Sequence, residues 1–118
     1  MFVNLHSIIK GSRVNGPGDR FVLWFQGCSH KCPGCYNKNI REPKRGIQFD
    51  VESLADNANN SRLDGVTISG GEPFDQPQAL LSLLKLLNDH IADYPFGIIV
   101  FTGYKIKEIK NEILRRMK

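Results

Sequence analysis

Short apolar runs alternate along this chain with longer segments in which apolar residues recur at three- and four-residue steps. Phe2 to Ile9 predicts a first strand and Arg20 to Gln26 a second. Between them, Asn15-Gly16-Pro17-Gly18 is rich in turn formers and predicts a loop. Asp50 carries a side chain suited to capping free amides, and a helix is predicted from there to about Asn60. Gly65 to Ser69 reads as a strand that ends on the pair Gly70-Gly71. Gln76 to Ile91 predicts a long helix whose Leu80, Leu83, Leu84, Leu87 and Ile91 form a stripe packed on a sheet. Gly97 to Phe101 predicts another buried strand. Lys105 to Lys118 follows as an amphipathic helix with Ile106, Ile109, Ile113 and Leu114 on one side.

Strands separated by helices of this length imply βαβ crossovers, a parallel sheet and the α/β class. Ligands of such sheets sit beyond the carboxyl ends of the strands. The segment after Gln26, the Gly70-Gly71 turn and Thr102-Gly103-Tyr104 each follow a strand directly, so they are expected to converge at one end of the sheet.

The 118 residues support a single domain, 1–118. No apolar run nears the roughly 18 residues of a membrane span, and no secretory leader is evident, so a cytoplasmic protein without membrane contact is expected. The net charge of +4 is unevenly placed: residues 1–104 hold ten cations against ten anions, residues 105–118 six against two. That basic tail reads as the solvated face of its helix. It lacks the aromatic interleaving of a nucleic-acid surface, and no direct nucleic-acid binding is expected.

Chemistry is concentrated at Cys28, Cys32 and Cys35, the only cysteines present. Three thiolates can hold three irons of a 4Fe–4S cube, which normally takes a fourth protein ligand; an iron lacking one is an open coordination site. A disulfide framework would use an even count and an oxidising compartment. A zinc site of Cys3His type, completed by His30 or His6, stays open on spacing, although zinc modules usually place two ligand pairs on separate knuckles. His6, His30 and His90 lie in three different segments and form no evident Ser-His-Asp or Cys-His arrangement.

A second element, Ser69-Gly70-Gly71-Glu72-Pro73, follows the apolar run Val66-Thr67-Ile68. Paired glycines let a strand-end backbone approach a ligand, Glu72 adds a carboxylate, and Pro73 biases Glu72 toward an extended conformation. Taken alone, the same run is also a tight turn leading into a helix.

Together, Cys28-x3-Cys32-x2-Cys35 and Gly70-Gly71-Glu72-Pro73 resemble the radical S-adenosylmethionine enzymes. Asn15-Gly16-Pro17-Gly18-Asp19-Arg20, Phe25-Gln26-Gly27-Cys28, Cys32-Pro33-Gly34-Cys35-Tyr36-Asn37 and Thr102-Gly103-Tyr104, in that order, are similar to the glycyl-radical activases of anaerobic ribonucleoside-triphosphate reductase. The likeness spans about residues 13–109. An aromatic residue often precedes the third cysteine across the superfamily; Gly34 does here, the form this activase subfamily resembles.

The resemblance implies an incomplete (β/α) barrel with a mostly parallel sheet, and a 4Fe–4S cluster on Cys28, Cys32 and Cys35. It implies S-adenosylmethionine chelated by the free iron, with Gly70, Gly71 and Glu72 at its methionine part and Gly34 and Tyr36 against its adenosyl part. One electron would then yield methionine and a 5′-deoxyadenosyl radical, which takes hydrogen from a glycine of the reductase large subunit. No catalytic residue beyond the cluster ligands is implied. The electron donor would be a flavodoxin or ferredoxin. Another glycyl-radical protein, or a small molecule, is the alternative substrate. The family pattern continues into a further strand beyond Thr102-Gly103-Tyr104, so the chain is expected to be a fragment or an unusually short member with an unpaired sheet edge.

Overall fold

The computed structural model describes residues 1–27 and 46–105. Strand β1 (Phe2–Ser12) turns back through residues 13–19 into β2 (Arg20–Phe25), and the two pair antiparallel. A link this short cannot carry a parallel crossover. Strand β3 (Ile47–Asp50) lies antiparallel on the other side of β1, with Phe2 opposite Asp50 and Leu5 opposite Ile47. Helix α1 (Val51–Asn59) then leads to β4 (Gly65–Gly70), which pairs parallel with β2 from Arg20–Gly65 to Phe25–Gly70. Helix α2 (Pro77–Asn88) carries the chain over to β5 (Ile98–Val100), parallel to β4. The sheet order is β3-β1-β2-β4-β5.

The expected incomplete (β/α) barrel with a mostly parallel sheet is therefore corrected. The described residues form one open, mixed sheet with two helices, and β1 pairs antiparallel on both of its sides. Two features account for the difference. The link between β1 and β2 is a short loop with no helix, so the two strands run antiparallel and the βαβ inference does not extend to them. And β3, four residues long, is too short for its alternation to stand out. No helix among the described residues is long and apolar enough to cross a membrane.

Val3 and Leu5 of β1, Phe21, Leu23 and Phe25 of β2, and Val66 and Ile68 of β4 share one core with Leu54 and Ala58 of α1 and Leu80, Leu83 and Leu87 of α2. The period-two strand pattern thus meets the helical stripes on one sheet face. Asp50 caps α1 as expected: its Oδ2 accepts from Ser53 N at 3.0 Å, and these bonds hold its carboxyl below the usual range. Helix α2 is shorter than its leucine pattern. It ends at Asn88, before the poor helix formers Asp89 and His90, and Ile91 falls in a separate 3₁₀ turn where it is exposed. The expected helix over Lys105–Lys118 lies, from Ile106 on, outside the described residues.

The amino ends of the parallel strands are tied by a buried cation. Arg20 is fully buried and donates from Nε to Thr67 Oγ1 (2.6 Å), from Nη1 to the carbonyls of Pro17 (2.9 Å) and Phe96 (3.1 Å), and from Nη2 to those of Val66 (2.9 Å) and Gly97 (2.7 Å). Thr67 passes the network on to Asn15 O at 2.9 Å. Burial pushes the Arg20 guanidinium below its ordinary pKa. One side chain thus joins the hairpin loop, β4 and the entry to β5. Each buried acceptor left without a donor costs about 1–3 kcal/mol, so Arg20→Met is expected to lose about 3 kcal/mol or more in urea unfolding of the metal-free chain, with Arg20→Lys recovering only part.

Tyr94 supplies a pH handle on the same fold. It is buried, its hydroxyl donates to Asn59 Oδ1 at 2.6 Å, and burial pushes its pKa from 10.0 to about 12. The folded state holds the phenol proton more tightly than the unfolded chain, so this stabilisation is complete below pH 10 and is lost as pH rises toward 12. Thermal melts of Tyr94→Phe are expected to show a shallower alkaline decline than the parent chain.

Candidate functional site

At the carboxyl ends of β2, β4 and β5 the chain builds a polar junction from main-chain groups. Phe25 O accepts from Gly71 N at 2.9 Å, and Gly27 O accepts from Glu72 N at 2.8 Å. Gly70 closes the β4–β2 pairing with φ of 106°, and a Cβ there would sit 2.5 Å from both Phe25 N and Phe25 O. Its glycine is therefore demanded by one backbone lying against another, a reason distinct from the ligand approach that the sequence suggests.

Glu72 is fully buried, and its carboxylate faces inward. Oε2 accepts from Phe74 N at 2.9 Å, Oε1 accepts from Gly103 N at 2.7 Å, and Thr102 Oγ1 lies 2.8 Å from both oxygens. Thr102 Oγ1 in turn accepts from Tyr104 N at 3.1 Å, and the Tyr104 hydroxyl donates to Asp75 Oδ1 at 2.9 Å. A buried carboxylate is tolerable only with such charge-assisted donors, and they latch the Thr102-Gly103-Tyr104 loop to the Gly-Gly-Glu-Pro loop. The expected convergence of these two loops is what the structure shows. Of the expected site residues, Gly70, Gly71 and Glu72 stand at this junction; Cys28, Cys32, Gly34, Cys35 and Tyr36 lie outside the described residues. His6, one candidate for a zinc ligand, is an exposed residue at a β1 bulge.

Two participants escaped the sequence reading. Gln76, expected only as the start of a helix, donates through Nε2 to Gln26 O at 3.0 Å and to Asn4 O at 2.8 Å, while its Oε1 accepts from Asn4 N at 2.8 Å. Trp24, on the sheet face away from the helices, keeps a buried Nε1 donor without a hydrogen-bond partner among the described residues. No sequence signal marks either: Gln76 stands directly before Pro77 at the start of α2, but its side chain caps no helix amide.

The chain matches the model of the 4Fe-4S single cluster domain over residues 14–118, a span that includes the three cysteines and both loops of this junction. An anaerobic ribonucleoside-triphosphate reductase-activating protein of Escherichia coli (strain K12) is 37% identical over 113 residues, covering 91% of this chain and 73% of the relative. This chain belongs to that activating-protein family. Its likeness to the activating protein of Enterobacteria phage T4 is 40% over 113 residues, covering 92% and 72%, and to that of Vibrio cholerae serotype O1 31% over 115 residues, covering 92% and 74%. The matched domain is that of a single 4Fe–4S cluster, which supports a cluster domain over a zinc module for this chain.

Two substitutions test the junction. Gly70→Ala forces a side chain into the β2 backbone at a φ that disfavours it, and is expected to cost about 3 kcal/mol or more in denaturant unfolding. Glu72→Gln puts an amide among donors; since hydrogen bonds to charged groups are worth about 1.5–3 kcal/mol, the Gly103 amide is expected to exchange with deuterium at least about tenfold faster.

Proposed function

We propose that this chain is a radical S-adenosylmethionine activase that generates a glycyl radical on anaerobic ribonucleoside-triphosphate reductase. The observation that carries the reading is the hydrogen-bonded contact between the Gly70-Gly71-Glu72 loop and Phe25–Gly27, the residues that lead directly into Cys28. Membership of a family whose relatives are named for activating that reductase supplies the reaction class.

In this assignment residues 1–118 work as one domain. Cys28, Cys32 and Cys35 hold the cluster and leave one iron without a protein ligand. The Gly70-Gly71 main chain borders the methionine end of S-adenosylmethionine, with Glu72 holding that main chain and the Thr102-Gly103 loop in place; Gly34 and Tyr36 flank the adenosyl end. The Trp24 donor, without a partner among the described residues, one residue before Phe25 and opposite Ser69 in the β2–β4 register, fits a polar group at this end of the sheet. Cluster and S-adenosylmethionine, when bound, supply one-electron chemistry that releases methionine and a 5′-deoxyadenosyl radical able to take hydrogen from a glycine. The chain's own residues bind, orient and exclude competing reactants, and no acid or base is required of them. The electron comes from a low-potential donor of flavodoxin or ferredoxin type, in the cytoplasm, where cysteines are not drawn into disulfides.

The test is anaerobic reconstitution with iron and sulfide, reduction, and assay for 5′-deoxyadenosine, followed by addition of the reductase. Cleavage and a glycyl-radical resonance on the reductase are expected, and Cys32→Ala is expected to abolish both along with the visible charge-transfer absorbance. A loaded cluster that leaves S-adenosylmethionine intact contradicts the reading. Cleavage without a radical on the reductase assigns the chemistry to another substrate.

A further inference from the structure

We propose that Gln76 is a positioning residue for the cysteine-bearing segment, acting through Gln26 and Asn4; the inference deepens the activase reading and rests on it. Three successive carbonyls, those of Phe25, Gln26 and Gly27, leave β2 just before Cys28. All three accept from one loop: from Gly71 N at 2.9 Å, Gln76 Nε2 at 3.0 Å and Glu72 N at 2.8 Å. Two of these donors are main chain and survive every substitution but proline. The middle one is a side chain.

The Gln76 amide does what a neighbouring strand residue would do. It gives Asn4 an acceptor for its N–H and a donor for its C=O, both at 2.8 Å, where the β1–β2 ladder shifts register between Leu5 and Ser7. Its orientation is set by its partners. Oε1 faces the Asn4 N–H and Nε2 faces two carbonyls, so the flipped amide would oppose donor to donor and acceptor to acceptor. Asn4 O also accepts from Gln26 N at 3.0 Å, so Asn4, Gln26 and Gln76 are joined pairwise in one set of hydrogen bonds.

Both ends of the segment that carries the cysteines meet at this set. Gln26 lies just before it, buried with 3% of its surface exposed, and Gly46 lies just after it. A Cβ on Gly46, whose φ is 105°, would come 2.5 Å from Asn4 Oδ1 and 2.8 Å from Gln26 Cβ and Cγ. Gly46, at one end, is therefore pressed against Gln26, at the other, and against Asn4, the pair that Gln76 joins. Because Gln76 also begins the approach to α2, the set fixes where the cysteine segment starts relative to the Gly-Gly-Glu loop. Gln76 needs no contact with cluster or cofactor for this.

The test uses Gln76→Met, which keeps the length and loses the hydrogen bonds, and Gln76→Glu, which sets a carboxylate against two carbonyls. In the metal-free chain, the Asn4 amide in Gln76→Met, which loses its acceptor, and the Glu72 amide in both variants are expected to exchange with deuterium at least about tenfold faster, while amides of β4 are unchanged. In the reconstituted, reduced chain, both are expected to retain iron and sulfide. The S-adenosylmethionine concentration that half-completes the change in the cluster's paramagnetic resonance spectrum should rise about tenfold or more. The Glu variant should recover toward acid pH, where a protonated carboxyl again both accepts and donates. Asn59→Ala, which removes the Tyr94 hydrogen bond far from this set, serves as a control for general destabilisation and is expected to leave the titration unchanged. A parent-like titration and exchange pattern in Gln76→Met overturns the proposal. So does failure of both variants to fold, which makes Gln76 a residue of the fold itself. If the parent chain gives no spectral response to S-adenosylmethionine, the activase reading has failed, and the exchange data on the metal-free chain still decide the role of Gln76.

Discussion

Everything at the functional end of this molecule depends on how β2 is brought to a stop. A strand that ends beneath a ligand site exposes carbonyls that must find donors. Here those of Phe25, Gln26 and Gly27 find them in the residues that follow β4, not in solvent. The loop that follows one parallel strand thereby becomes the support for the segment that follows its neighbour. Parallel pairing makes this economical, because the carboxyl ends of β2, β4 and β5 lie together by construction.

The two ends of the parallel strands are organised by opposite charges. At the amino ends the buried guanidinium of Arg20 collects carbonyls from the hairpin loop, β4 and the entry to β5. At the carboxyl ends the buried carboxylate of Glu72 collects donors from its own loop and from the Thr102-Gly103 turn beyond β5. Each ion is expensive to bury and is retained where several loops must be held by one group. The apolar core between them fixes the sheet against α1 and α2, and the polar groups fix the loops.

Much of this was legible in the sequence. The apolar runs, the turn formers at Asn15–Gly18 and the capping Asp50 place most strands and the start of α1, because each depends on residues close in the chain. The cysteine triplet and the Gly-Gly-Glu-Pro run carry the resemblance that pointed to the activating-protein family. What sequence missed depends on contacts distant in the chain. The mixed sheet follows from the direction in which β1 meets both neighbours, and β3 is held by that edge more than by its own pattern. Gly70 looks like room for a ligand and is in fact room for Phe25. Glu72 reads as an available carboxylate, yet its oxygens are taken by residues some thirty positions later. Gln76 imitates a strand residue only because Asn4, 72 residues earlier, lies within reach.

In the proposed activase the Gly-Gly-Glu loop and the cysteine segment form a single site in which the amino-acid end of S-adenosylmethionine reaches an iron of the cluster. Electron–nuclear double resonance on the reduced, reconstituted chain, with S-adenosylmethionine carrying nitrogen-15 in its amino group, measures this directly. A hyperfine coupling between that nitrogen and the cluster is expected. A fully loaded cluster that shows none, at concentrations where the nucleotide is bound, contradicts it.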